Sequence, residues 1–153
     1  MAKANIQGVK PGSSVGAQMI RISNPVVTAT GVSNIDFEIT QPAGTIMDSI
    51  FLHVASEIEL SGGSASSDVT VTCGTNTDHS GTELFDAETI LDYSASTSAA
   101  QGKVVKVNAI DLASATGTVA SDETTFFGRV ITGAAATAVK SGALEIHVVY
   151  RSF

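Results

Sequence analysis

The sequence predicts an all-β chain: a single-domain antiparallel β-sandwich, jelly-roll-like, with an extended N-terminal arm. Three observations carry this. Apolar residues recur with period two in short stretches along the chain, as half-buried strands require. Turn residues separate those stretches, giving eight or nine short strands, a spacing typical of sandwiches and barrels. No apolar face is long enough for the helices of an α/β fold, and no repeat marks a solenoid. Eight strands in two sheets make a jelly roll.

The elements follow in order. Residues 1–17 are rich in Gly, Ser and Lys, with Pro11 and few large apolar groups, and read as the arm. The sandwich domain is residues 18–153. Residues 18–22 are the first strand candidate, and residues 26–32 resume after Pro25. Residues 34–40 alternate, with Ile35, Phe37 and Ile39 inward and Asp36 and Glu38 outward. Gln41-Pro-Ala-Gly44 is a turn signal. Residues 46–60 are the long apolar stretch; Ile50, Leu52 and Val54 take one face, Phe51, His53 and Ala55 the other, and Ile58 and Leu60 continue beyond Ser56.

Residues 61–67 are a Ser/Gly loop, residues 68–73 a strand, and residues 74–81 a polar loop. Residues 82–93 break the period of two, because Leu84, Phe85, Ile90, Leu91 and Tyr93 do not alternate. A short helix from Asp86 is expected there. Residues 94–102 read as a mobile Ser/Ala/Thr loop. Strands follow at residues 103–110, 126–132 and 143–151. In the last, Leu144, Ile146, Val148 and Tyr150 oppose Glu145, His147, Val149 and Arg151.

Composition narrows the function. The 153 residues suit one domain. At 43% hydrophobic the chain is able to fill a core, while only 15% is charged. A neutral, hydroxyl-rich surface fits a protein that packs against copies of itself or a larger body. The net charge of −7 is uneven. Residues 1–35 carry Lys3, Lys10 and Arg21 and no acid, whereas residues 36–102 carry eleven acids and no Lys or Arg. An acidic centre repels phosphate backbones, so nucleic acid is not an expected partner. Cys73 is the single cysteine and continues the inward alternation of Val69 and Val71, as a buried, inert thiol would. No signal-peptide h-region or apolar membrane span is evident, so assembly in a cytoplasm and no membrane partner are expected.

Catalytic equipment is sparse. His53, His79 and His147 form no H-x-H or H-x-x-x-H pair, so their spacing gives no zinc site, and His53 and His147 read as structural. Serines are abundant, but a serine nucleophile also needs a base and an orienting acid, and the one His-Ser-Gly cluster, His79-Ser80-Gly81, is ordinary loop composition. Asn76, Asp78, Ser80 and Gly81 match the start of a calcium loop, but its twelfth position is Ala87, and Glu88 falls one residue late. Glu57/Glu59 and Asp36/Glu38 put paired carboxylates on one strand face, which equally describes the wet side of a sheet. With no Trp and 5% aromatic residues, a sugar platform is poorly supplied. No Gly-rich phosphate loop precedes a helix. The expectation is no enzyme, no cofactor and no metal.

Ser49-Ile-Phe-Leu-His-Val54, Val69-Thr-Val-Thr-Cys-Gly74, the Ser/Ala/Gly loops, residues 126–132, the soft connector after them and Leu144-Glu-Ile-His-Val-Val-Tyr150 resemble small β-sandwich virion proteins of tailed bacteriophages. The resemblance is strongest to head decoration, or capsid cement, proteins. It covers residues 46–153 as a style of sequence and rests on no invariant motif. It implies a non-enzymatic homotrimer on the outer capsid surface of the virion, made in the host cytoplasm. Its partner would be the major capsid protein, whose neighbouring subunits it would clamp against internal DNA pressure. On that reading Lys3, Lys10, Pro11 and Arg21 are the capsid-contact candidates, with the arm adding a strand to a capsid edge. A tail or fibre subunit, or a receptor- or carbohydrate-binding module, is the alternative.

Overall fold

In the computed structural model, residues 5–7, 15–23, 33–61, 68–92, 94–107, 119–133, 137–139 and 142–152 are described. All regular structure among them is β. The strands are β1 (Asn5–Gln7), β2 (Val15–Ser23), β3 (Ser33–Gln41), β4 (Thr45–Ser56), β5 (Ile58–Ser61) and β6 (Val69–Gly74). They continue with β7 (Phe85–Leu91), β8 (Ser98–Ala99), β9 (Val104–Lys106), β10 (Thr124–Thr132), β11 (Thr137–Val139) and β12 (Ala143–Ser152).

One sheet has the order β1-β2-β12-β4-β9 and the other β3-β10-β6-β7, with β11-β5-β8 a small third sheet. Every strand pairing among the described residues is antiparallel. The topology is that of one long hairpin rolled up. Setting aside β1 and the small third sheet, the first strand pairs with the last (β2 with β12) and the second with the second-last (β3 with β10). The third pairs with the sixth (β4 with β9), and the fourth with the fifth (β6 with β7). Rolling then joins β12 to β4 and β10 to β6. This is the eight-stranded jelly roll, and the expected sandwich is present.

The core lies between the two main sheets. Across the first sheet three apolar rows run in register: Ile22–Leu144–Val54, Ile20–Ile146–Leu52 and Gln18–Val148–Ile50. All their apolar members are buried. Phe37, Ile39, Phe126, Val130, Val69, Val71, Cys73 and Phe85 answer from the second sheet. Phe37 needs room, and Gly128 of β10 supplies it: a Cβ there would lie 2.2 Å from the Phe37 ring.

Polar groups stitch the sheets together at one end. The Tyr150 hydroxyl on β12 lies 2.6 Å from the Thr40 carbonyl oxygen on β3 and 2.8 Å from Gln18 Oε1 on β2. The Thr40 N–H in turn donates to Gln18 Oε1 at 3.2 Å. The turn expected at residues 41–44 is present, and Gly44 supplies its left-handed φ of 74°.

Residues 85–91 form a strand, not the expected helix. β7 pairs with β6 through two register shifts, one between Val69 and Thr70 and one between Val71 and Cys73. Each shift places an extra residue in β7. The bulges cancel the period of two, so the consecutive Ile90 and Leu91 are both buried. The loop expected at residues 94–102 contains β8, which pairs with β5, and the soft connector after β10 contains β11. Within the expected arm, Asn5–Gln7 pairs with β2, and Val15, Gly16 and Ala17 already belong to β2. The strand expected at residues 26–32 lies outside the described residues.

Candidate functional site

The face of the first sheet turned away from the core carries two adjacent rows of larger side chains. Arg21, Glu145, His53 and Val104 stand opposite one another across β2, β12, β4 and β9. Met19, His147, Phe51 and Lys106 form the next row. Because successive side chains alternate, Glu145 and His147, two residues apart, share this face. Register then brings His53 beside Glu145.

These side chains converge. His53 Nδ1 lies 3.1 Å and His147 Nε2 3.2 Å from the same oxygen, Glu145 Oε2. Arg21 Nη1 holds the other oxygen, Oε1, at 2.5 Å. The imidazole rings are 5.9 Å apart and tilted by 54°. The Glu145 side chain is only 12% exposed, against 33% for His53 and 39% for His147. Burial works against its charge but is outweighed by hydrogen bonds from His53, His147 and Arg21, which hold the carboxyl below its usual range. Among the described residues, His53, Glu145 and His147 are the one group of three His, Cys, Asp or Glu side chains arranged to hold a metal ion.

A second polar cluster lies on the outer face of the other sheet. Arg129 of β10 grips Asp36 of β3 in a bidentate pair along one guanidinium edge, Nε donating to Oδ1 at 2.6 Å and Nη2 to Oδ2 at 3.2 Å. That hydrogen-bonded pair holds the Asp36 carboxyl below its usual range. His79, in the left-handed region at φ 61°, places Nδ1 3.0 Å from the Gly128 carbonyl oxygen and packs edge-on against Phe127. Arg129 also donates to the Asp78 carbonyl oxygen at 3.1 Å. Together these contacts lash the loop after β6 onto β10. The calcium-like stretch serves that loop: Asp78 Oδ1 accepts from the Ser80 N–H at 3.0 Å and its hydroxyl at 2.6 Å.

Of the sequence-derived contact candidates, Arg21 is exposed on the first sheet and already paired with Glu145. Lys3, Lys10 and Pro11 lie outside the described residues. The convergence of His53 on Glu145 escaped the sequence because its ligand atoms come from strands 92 residues apart. The available signal was the shared face of Glu145 and His147; the missing information was the register of β4 against β12.

No protein-family model matches the chain, and no curated protein matches it. Among solved structures, a chain of the capsid asymmetric unit of cyanophage Pam1 is similar, with a TM-score of 0.57 and 18% identity over 99% of this chain and 94% of that one. A chain of the capsid of Ralstonia phage GP4 gives a TM-score of 0.46 and 18% identity over 85% of this chain and 90% of that one. The chain shares its fold with a phage capsid chain. At such identity the likeness speaks for architecture and not for any individual side chain.

Proposed function

We propose that the protein is a non-enzymatic structural component of a phage virion, seated on the outer capsid surface as a trimer and clamping neighbouring major capsid subunits. The observation that carries this reading is the end-to-end match of the jelly roll to a chain from the Pam1 capsid. The match spans nearly all of both chains. The low charge and hydroxyl-rich composition support it, because such a surface suits extended contact with other protein. A trimer engages several shell subunits together, so individually weak contacts multiply through effective concentration. The N-terminal segment contacts a neighbouring subunit through Lys3, Lys10 and Pro11, while its Asn5–Gln7 and Val15–Ala17 stay paired within this chain's own sheet and Arg21 stands on β2.

The test has two arms. Light scattering on the purified protein gives a mass near three times 15.6 kDa if the trimer is correct; a monomer removes the three-fold clamp. Co-sedimentation with empty shells of the parent phage then reads the partner. Binding to shells supports the decoration role. Recovery in the tail fraction only, or glycan-array binding with none to shells, overturns it. Replacing Lys3 and Lys10 with Glu, which leaves the backbone of β1 and β2 in place, lowers shell occupancy; unchanged occupancy removes the arm contact from this reading.

A further inference from the structure

We propose that His53, Glu145 and His147 form a binding site for one divalent transition-metal ion of the zinc class. The inference stands on the geometry of the first sheet and is independent of the virion reading.

The ligand chemistry is complete. Two imidazole nitrogens and one carboxylate oxygen are the three-ligand set that zinc accepts while keeping a fourth position open. Their ligand atoms all lie within 4.8 Å of one another. In a tetrahedral site with bonds of about 2.0–2.1 Å, ligand atoms stand roughly 3.3 Å apart. The two nitrogen-to-oxygen separations of 3.1 and 3.2 Å already approach that spacing.

The scaffold fixes the set in advance. Glu145 and His147 are two residues apart on β12, and Glu145 stands directly opposite His53 on β4. Both strands are interior to the sheet, each paired on both edges. Arg21 occupies Glu145 Oε1 and leaves Oε2 as the oxygen facing both imidazoles, which favours one-oxygen coordination. Without an ion, the arrangement needs a proton on His53 Nδ1 and another on His147 Nε2 to bridge to the same oxygen. A divalent cation replaces both bridging protons and uses all three lone pairs together. The partial exposure of both histidines leaves the outer side of the site open to water. Nitrogen ligands favour zinc and its late first-row neighbours over magnesium and calcium, which take oxygen.

The experiment is a calorimetric titration of the untagged, chelator-treated full chain with zinc chloride, accompanied by thermal melts. The expected result is one zinc per chain and a thermal midpoint raised by about 5 °C at saturation. His53→Gln, Glu145→Gln and His147→Gln each weaken binding at least tenfold, while His79→Gln, in the loop after β6 beside the other sheet, leaves it unchanged. Circular dichroism confirms that each variant is folded. Should Glu145→Gln unfold because Arg21 loses its partner, the more exposed His147→Gln alone decides. Absence of saturable zinc binding overturns the proposal, as does zinc binding that survives the histidine substitutions. Equal affinity for magnesium overturns the assignment to the zinc class.

Discussion

At the scale of single residues, two positions show how tightly the core is specified. Gly128 sits in a strand interior, where glycine is ordinarily unfavourable. It is there because the Phe37 ring lies where a Cβ would be. Gly128→Ala is expected to cost about 1–3 kcal/mol through overpacking. Urea denaturation measures this, and Phe37→Leu in the same chain should return part of the loss. If the double variant is no better than the sum of the singles, the clash is not the cause. Cys73 is fully buried on β6, and burial pushes its thiol far above the usual value. Ellman's reagent should therefore leave the native protein unlabelled and titrate one thiol per chain in denaturant. Fast labelling of the native state would contradict that placement. The inward position of Cys73 was legible from its alternation with Val69 and Val71. The need for Gly128 was not, because it arises from a ring on another strand.

At the scale of elements, cross-strand pairs hold the sheets in register. Arg129 and Asp36 are direct partners on β10 and β3. The guanidinium hydrogen bonds depress the folded pKa of Asp36 below its ordinary 3.8. A depressed carboxyl contributes stability above the unfolded pKa and loses it as pH falls through the folded one. Denaturant midpoints should thus fall as pH drops below about 4. Asp36→Asn should lower the midpoint near neutrality by an amount worth up to about 1 kcal/mol and flatten the acid side of the profile. An identical acid slope in both proteins would remove this pair as a source of it. One link between the sheets is Tyr150 with Gln18 and Thr40. Tyr150→Phe is expected to cost about 1–3 kcal/mol, since buried acceptors lose their donor; a change within error in chemical denaturation would show that the sheets do not depend on it. Element type was readable from period two except at the short β1, β8 and β11, which are too brief to show a period, and at β7. In β7 the bulges shift the phase of the apolar residues, and a shifted phase over seven residues imitates a helical one.

At the scale of the whole molecule, the rolled hairpin makes the last strand central. β12 lies between β2 and β4 and carries Leu144, Ile146, Val148 and Tyr150 into the core. Removing residues 143–153 therefore takes the middle from the first sheet and leaves β2 and β4 without their shared partner. The shortened chain is expected to lose its cooperative thermal transition and its dispersed amide NMR spectrum. A folded truncation product would mean that β2 and β4 close on each other directly. Pairing the first long strand with the last also demands contacts of high sequence separation. Refolding in milliseconds to seconds, not microseconds, is the corresponding expectation.

The sequence by itself determined the all-β class, the inward and outward faces of most strands, and the burial of Cys73. These depend on local alternation, which each strand carries within its own residues. It also located the uneven charge, with acids concentrated in residues 36–102. Tertiary structure alone decided the strand order, the bulged course of β7 and the meeting of His53 with Glu145 and His147. Those features depend on which strand lies beside which, and in what register. A shift of one residue between β4 and β12 would leave every local pattern intact and carry His53 away from the two residues it now faces.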